Sequence, residues 1–272
     1  MPRKPVVPVP PPSSPVKEDP TNWDHFKLWE RLWDAILALP SHFNSPTTID
    51  GMLAPDVFTL ASALGATIEE EVVQTLNRMR AVWDPDKEYQ TYGFVRQPQT
   101  FPDVLLRRKT NGQEVLLGIE LKGWYLLNSE GMPNFRFGVN PDCCNPWDFI
   151  VVVPWALSNV ISGSPVVYDV FIETAKYAAE QRNYYWRYGR QTTDDPGIVL
   201  AKDITPYPLK KNKISDKAVY DPGQNFGRLA RYGVMSEYVQ RMMATSVRGV
   251  SAAEWLSFFK KHARGDSVPP AT

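Results

Sequence analysis

Histidine and cysteine are scarce in this chain. Its 272 residues hold three histidines, His25, His42 and His262, far apart in sequence, and two cysteines, Cys143 and Cys144, side by side. A structural zinc site draws its ligands mostly from these residue types, so none is expected. Adjacent cysteines cannot cross-link distant parts of a fold, which points to a reducing, cytoplasmic compartment. An excess of charge of either sign is also missing, because 30 basic residues meet 30 acidic ones. That excludes a polybasic binder of the histone kind and an acidic solvating chain, and leaves room for a local basic groove. No apolar stretch approaches the roughly 20 residues of a membrane-spanning helix, so no membrane partner is expected. The opening MPRKPVVPVPPP has no hydrophobic segment of the secretory-signal type. Phosphate-binding GxxxxGK(S/T), dinucleotide-binding GxGxxG and the GxSxG nucleophile elbow do not occur. Nor is there an internal repeat, or a heptad seam long enough for a coiled coil.

Proline, by contrast, crowds the start. Pro2, Pro5, Pro8, Pro10, Pro11, Pro12, Pro15 and Pro20 predict a disordered, solvated tail over residues 1–20. Beyond it, a chain with 43% hydrophobic residues can build one large core. Phe26, Trp29, Trp33, Ile36 and Leu37 keep helical spacing up to Pro40. Residues 55–64 predict a short helix ending near Gly65. Thr67 and Glu70 then have the spacing of a capping box opening a second helix, with Ile68, Val72, Leu76 and Met79 as its apolar stripe. Residues 92–122 read as extended, and the run WDFIVVV (147–153) as a strand buried on both faces. Residues 170–188 predict a helix, 200–224 an irregular segment rich in Pro and Lys, and 225–244 and 252–263 two closing helices. Ser251 and Glu254 form another capping box. This order predicts an α/β architecture with a mixed sheet flanked by helices.

The chemistry concentrates in FPDVLLRRKTNGQEVLLGIELKGW, residues 101–124. Asn111-Gly112 between two apolar runs is a strong hairpin signal, since both turn residues need positive φ. With those two as the loop, Thr110 faces Gln113, and stepping back along both strands brings Asp103 opposite Glu120. Facing residues hold their Cβ atoms about 4.5–5.5 Å apart. Alternation agrees: Val104, Leu106, Leu117, Ile119 and Leu121 share one apolar face, while Asp103, Glu120 and Lys122 share the other. Gly118 on that second face leaves room for a ligand or another backbone. Two close carboxylates repel unless one is protonated or a cation lies between them. Oxygen ligands suit a hard ion such as Mg²⁺. The bland alternative is a solvated Asp–Lys–Glu cluster contributing at most about 1 kcal/mol.

Pro102-Asp103, followed on the next strand by Glu120-Leu121-Lys122, resembles the PD…(D/E)xK motif of the restriction-endonuclease-like nuclease superfamily. Glu120-x-Lys122 is the only (D/E)xK in the chain. The resemblance spans about residues 66–190. It implies a restriction-endonuclease-like core inside one nuclease domain (21–272), with extra N- and C-terminal helices. It also implies catalytic roles for Asp103, Glu120 and Lys122, and Mg²⁺ held by Asp103, Glu120 and the Leu121 carbonyl. In that fold the helix before the hairpin often supplies another acid. Helical geometry turns Glu69 inward, assigns Glu70 to the capping box and turns Glu71 toward solvent, so Glu69 is the expected further metal-side carboxylate. Acids at a helix start are also explained by the helix dipole.

The implied activity is Mg²⁺-dependent hydrolysis of double-stranded DNA by a homodimeric enzyme of the type II restriction kind. Alternatives are a repair, recombination or phage-defence nuclease without site specificity, a non-catalytic DNA-binding subunit that keeps the nuclease fold, and an aromatic-rich interaction protein. For gripping DNA the sequence offers Lys210, Lys211, Lys213 and Lys217 in the irregular segment. Arg182, Arg187 and Arg190 lie among Tyr184, Tyr185, Trp186 and Tyr188.

Overall fold

Apolar alternation and one continuous Val/Ile run set the sheet. The structure, a computed structural model, describes residues 11–97, 99–110 and 114–263. Six strands form a curled mixed sheet: β1 (Tyr92–Arg96), β2 (Val104–Arg108), β3 (Val115–Tyr125), β4 (Phe149–Leu157), β5 (Pro165–Val167) and β6 (Phe171–Thr174). Their order is β1-β2-β3-β4-β5, with β6 also paired to β4. The first three strands make an antiparallel meander, β3 and β4 run parallel, and β5 and β6 lie antiparallel to β4. Every residue of β4 is buried, as a strand paired on both edges and covered on both faces requires. Two small ribbons, β7 (Ile198–Val199) with β8 (Lys217–Ala218) and β9 (Ser246–Val247) with β10 (Val250–Ser251), lie outside this sheet.

Seven helices accompany the strands among the described residues: α1 (Phe26–Leu37), α2 (Leu39–His42), α3 (Leu60–Arg78), α4 (Arg80–Trp83), α5 (Ala175–Tyr184), α6 (Ser236–Ala244) and α7 (Ala252–Ala263). None of them is long and apolar enough to cross a membrane. In α1 the aromatic residues Trp29 and Trp33 tilt against Phe149. Phe149 is the β4 partner of Ile119, so α1 covers the face of the sheet that carries Ile119. Helix α3 covers the same face. A Cβ built on Gly123 would lie 4.0 Å from the Gly65 carbonyl oxygen, and Gly123 shares its side of β3 with Leu117, Ile119 and Leu121.

The course of α3 departs from the sequence pattern. The helix does not stop at Gly65 but runs through it from Leu60 to Arg78. Glycine in a helix interior costs about 1 kcal/mol relative to alanine, and burial of Leu60, Leu64, Ile68 and Val72 on either side of it offsets that cost. Thr67 therefore stands inside the helix, and the expected Thr67–Glu70 capping box does not exist. Glu71 is buried, with Oε1 accepting from Thr47 Oγ1 at 3.2 Å, instead of facing solvent. The segment 170–188 divides into β6, α5 and a π-helical turn at Tyr185–Gly189. Of residues 225–244, only Ser236–Ala244 is α-helical, preceded by a 3₁₀ turn at Leu229–Arg231. The Ser251 capping box forms as expected. The Glu254 N–H donates to Ser251 Oγ at 3.2 Å, and the Ser251 N–H donates to Glu254 Oε2 at 3.1 Å. The tail is tied down in its described part. Gln181 Nε2 donates to the Pro15 carbonyl at 3.2 Å, Lys17 pairs with Glu173 at 2.6 Å, and Glu18 pairs with Lys176 at 2.9 Å. Residues 1–10 lie outside the described residues. Both cysteines are free and buried, and burial pushes the Cys143 thiol up to about 11.

A buried ion pair organises the region beyond α5. Arg182 and Asp216 are fully buried and meet at 2.8 Å. The same guanidinium donates to the Phe137 and Val139 carbonyls at 2.7 and 2.8 Å and stacks on the Phe226 ring. Asp216 in turn accepts from Asn140 Nδ2 at 2.7 Å and from the Ala201 N–H at 3.0 Å. The expectation that Arg182 contacts DNA is therefore overturned: its five donors are committed inside the protein. Replacing Arg182 by Met strands the Asp216 carboxylate in the interior. The unfolding free energy in urea should fall by about 3–5 kcal/mol; a loss below about 1 kcal/mol would contradict a buried, committed pair.

Candidate active site

The site starts from strand register. Val104, Leu105 and Leu106 face Ile119, Gly118 and Leu117, so one more step brings Asp103 beside Glu120. A bulge between Leu106 and Arg107 shifts the outer part of the hairpin by one residue. The Asn111-Gly112 turn lies outside the described residues. The apolar face forms as expected, with Val104, Leu106, Leu117, Ile119 and Leu121 buried. On the opposite face Lys122 Nζ stands 3.0 Å from Asp103 Oδ2 and 2.7 Å from Glu120 Oε1. Asp103 Oδ2 also accepts from the Leu121 N–H at 3.0 Å. A strand residue sends its N–H and C=O to the same edge, so the Leu121 carbonyl points toward the Asp103 side.

The space at Gly118 is filled by the protein itself. A Cβ there would fall 2.4 Å from Pro102 Cγ and 3.1 Å from Asp148 Oδ1. Of the two occupants expected at this glycine, a ligand or another part of the chain, the structure places the chain's own Pro102 ring there, which seats the residue before Asp103 against β3. Asp148, at the head of β4, accepts from the Gly118 N–H at 2.6 Å, the Asn145 N–H at 2.8 Å and the Tyr207 hydroxyl at 2.9 Å. Asp148 and Tyr207 are site-supporting residues that motif reading missed. The signal available was a lone acid, Asp148, at the start of an otherwise apolar run.

Burial dominates the electrostatics. It pushes Glu120 up to about 7, aided by Asp103 and opposed by Lys122. Burial works against the charged Lys122 too, but Glu120 and Asp103 outweigh it and raise its pKa. The two carboxylates keep the lysine protonated, while burial, with Asp103 adding repulsion, lets the more buried carboxylate take a proton near neutrality despite the ammonium beside it. Asp148 is likewise raised to about 7 by burial, against its three donors. Glu69 is raised by burial and by Asp103, with Lys122 and Arg96 opposing, so this acid of α3 lies within electrostatic reach of the cluster. Arg96 on β1 holds it at 3.2 Å, and Glu70 lies farther along the same guanidinium at 3.8 Å.

Among the described residues no three His, Cys, Asp or Glu side chains form a ready-made metal cage. Asp103 and Glu120 close on Lys122. One observation nevertheless fits a hard cation: Glu120 Oε2 is buried and has no hydrogen-bond partner. A buried carboxylate oxygen without a donor costs about 1–3 kcal/mol or more, and a cation would satisfy it.

The expected DNA contacts divide. Lys210, Lys211 and Lys213 are exposed, as is Arg187 in the π-helical turn. Lys210 Nζ donates to Gln99 Oε1 at 2.8 Å, four residues before Asp103, so the lysine segment borders the site. Arg182 is interior, as described above. Arg190 is committed to the Trp186 and Asp195 carbonyls at 2.8 Å each. The chain matches no protein-family model, no curated protein and no solved structure.

Because the folded Glu120 value lies above its ordinary 4.5, the protonated acid favours the folded state. Its contribution is complete below about pH 4.5 and is lost as pH rises through about 7. Wild-type stability should decline across that window, and Glu120→Gln should flatten the decline; Asp148, Glu69 and Glu180, all raised by burial, contribute to the remainder. Carbon-detected NMR titration of Glu120 should show a midpoint near 7 that moves higher in Lys122→Met. A midpoint near 4.5 in both proteins would contradict the burial and pairing described.

Proposed function

We propose that this chain is a metal-dependent nuclease that hydrolyses phosphodiester bonds of double-stranded DNA, with a sheet core of the restriction-endonuclease-like type. The observation that carries this reading is the meeting of Asp103, Glu120 and Lys122 on one face of the hairpin, beside a buried Glu120 oxygen without a partner. Asp103, Glu120 and the Leu121 carbonyl would hold Mg²⁺, which when bound polarises a phosphoryl oxygen and lowers the pKa of a water; Glu69, held by Arg96, would have to swing in to join them. Lys122, kept as an ammonium by two carboxylates, acts as a donor. It orients the attacking water or counters charge developing on the phosphate. Pro102 against Gly118 and Asp148 against the Gly118 N–H fix the strand that carries Glu120 and Lys122, so these groups need little rearrangement during reaction. Lys210, Lys211, Lys213 and Arg187 supply exposed positive charge for DNA. Cutting both strands at a defined site calls for two such centres, hence a homodimer of the type II restriction kind acting in the cytoplasm.

A second reading rests on the same geometry. Lys122 already bridges both carboxylates, as it would in a DNA-binding subunit that keeps the fold without the chemistry. Supercoiled plasmid digestion separates the two. Cleavage should need Mg²⁺, stop with EDTA, and fall roughly 10²-fold or more in Asp103→Ala, Glu120→Gln or Lys122→Met. Metal-independent DNA retention without cutting, or undiminished cutting by these variants, would remove the catalytic assignment.

A further inference from the structure

A cleft of about 630 Å³ opens between residues 199–202 and 212–217. Its wall residues include Lys202, Lys213, Lys217, Asn212, Ser215 and Leu200. The three lysines are exposed. Among the described residues the lysines in ion pairs are Lys17, Lys122 and Lys176, so none of the cleft lysines is neutralised by a neighbour. Of the acids closest in sequence, Asp216 is turned inward onto Arg182, and Asp203 beside Lys202 is exposed. Three lysines against one exposed acid leave an excess of positive charge here, in a chain with no net charge overall.

The cleft is held rigidly, which separates it from a chance gathering of surface lysines. One wall is tied down where the Ala201 N–H donates to Asp216 Oδ1, and the other carries Asp216 itself. Asp216 is anchored by Arg182, Asn140 and Asn183, the last donating at 3.1 Å. The 212–217 wall is further paired to residues 138–140 through the Val139–Ser215 bridge and the Asn140 N–H to Ile214 carbonyl bond at 2.8 Å. The segment joining the two walls reaches the hairpin twice. Tyr207 donates to Asp148, which holds β3 at Gly118, and Lys210 donates to Gln99. The segment that carries Lys210 and Lys211 thus ties the cleft to the residues around Asp103 and Glu120.

We infer that this cleft binds the phosphate backbone of the nucleic acid substrate, with Lys202, Lys213 and Lys217 contacting successive phosphates. The inference deepens the nuclease reading and rests on it for the identity of the polymer. Arg182 and Asp216 act as positioning residues that keep the two walls at a fixed separation. Phosphate contacts of this kind set affinity and salt dependence and carry no sequence information.

The test uses the full chain and a fluorescent duplex of about 20 base pairs, a probe spanning about two helical turns. Binding is measured by anisotropy in EDTA and in Ca²⁺ over a range of salt, so that binding is read without cleavage. Lys202→Glu, Lys213→Glu and Lys217→Glu combined should weaken binding at least about tenfold. They should also make the slope of log K against log salt shallower by roughly 2–3, at about 0.9 for each phosphate that is no longer neutralised. Lys260→Glu with Lys261→Glu, which reverses exposed charge on α7, should change affinity less than about twofold, since exposed charges beyond a Debye length are screened. Thermal melting by circular dichroism checks that both variants fold. An unchanged affinity and slope in the triple variant would overturn the cleft, even if the wild type cuts DNA. So would wild-type protein that binds no duplex, or equal weakening by the α7 variant. Inorganic tripolyphosphate competing as well as duplex at equal phosphate concentration would overturn the polymer assignment. Cleft-dependent binding without cleavage under Mg²⁺ would uphold the cleft and remove the nuclease reading.

Discussion

One ammonium group between two carboxylates governs the hairpin face. Without Lys122, Asp103 and Glu120 would repel across a half-buried surface, and the start of β2 would lose a link to β3. With it, the three side chains hold each other in place, and Asp103 keeps a second bond to the Leu121 N–H. The balance is uneven. Asp103 and Lys122 remain partly exposed, while Glu120 is largely shielded, so burial acts most strongly on Glu120, whose second oxygen is buried without a partner. A charged group kept in such surroundings is costly as mere structure, and that cost is why the cluster reads as chemistry.

A second polar centre fixes the chain away from the first. Arg182 gathers two carbonyls of the crossover between β3 and β4, an aromatic ring and Asp216. It thereby gives order to a stretch with little regular secondary structure. Buried ion pairs are weak evidence of stability compared with apolar packing, but breaking one is expensive. That asymmetry suits a residue whose task is to fix loop positions. The two centres communicate through Tyr207 and Asp148, so the lysine-bearing segment is referenced to the same strand that carries Glu120 and Lys122.

Much of this was legible in the sequence, for identifiable reasons. Period-two alternation in residues 101–124 is a local property, and it placed Asp103, Glu120 and Lys122 together. The continuous Val/Ile run marked β4 because burial on both faces leaves no polar position. Ser251 and Glu254 capped α7 because their bonds are local. What failed depended on contacts distant in the chain. Gly65 reads as a helix stop until the burial of Leu60, Leu64, Ile68 and Val72 in the core carries the helix through it. Arg182 reads as a surface arginine among aromatics until Asp216, Phe137 and Val139 surround it. Glu71 reads as solvent-facing until Thr47 arrives from an earlier loop. Gly118 reads as room for a ligand or another backbone, and only the fold brings Pro102, distant in sequence, to fill it.

The bulge at Leu106 and Arg107 has a consequence for how the hairpin can change. Outside it the strands pair with one offset, and inside it with another. The alignment of the acidic pair is therefore dictated by the greasy inner rungs, where slipping one place would turn every side chain over, and not by whatever closes the loop. Lengthening, shortening or tagging the hairpin tip is a change made on the far side of a mechanical joint, one that the end carrying the acidic pair is built not to feel.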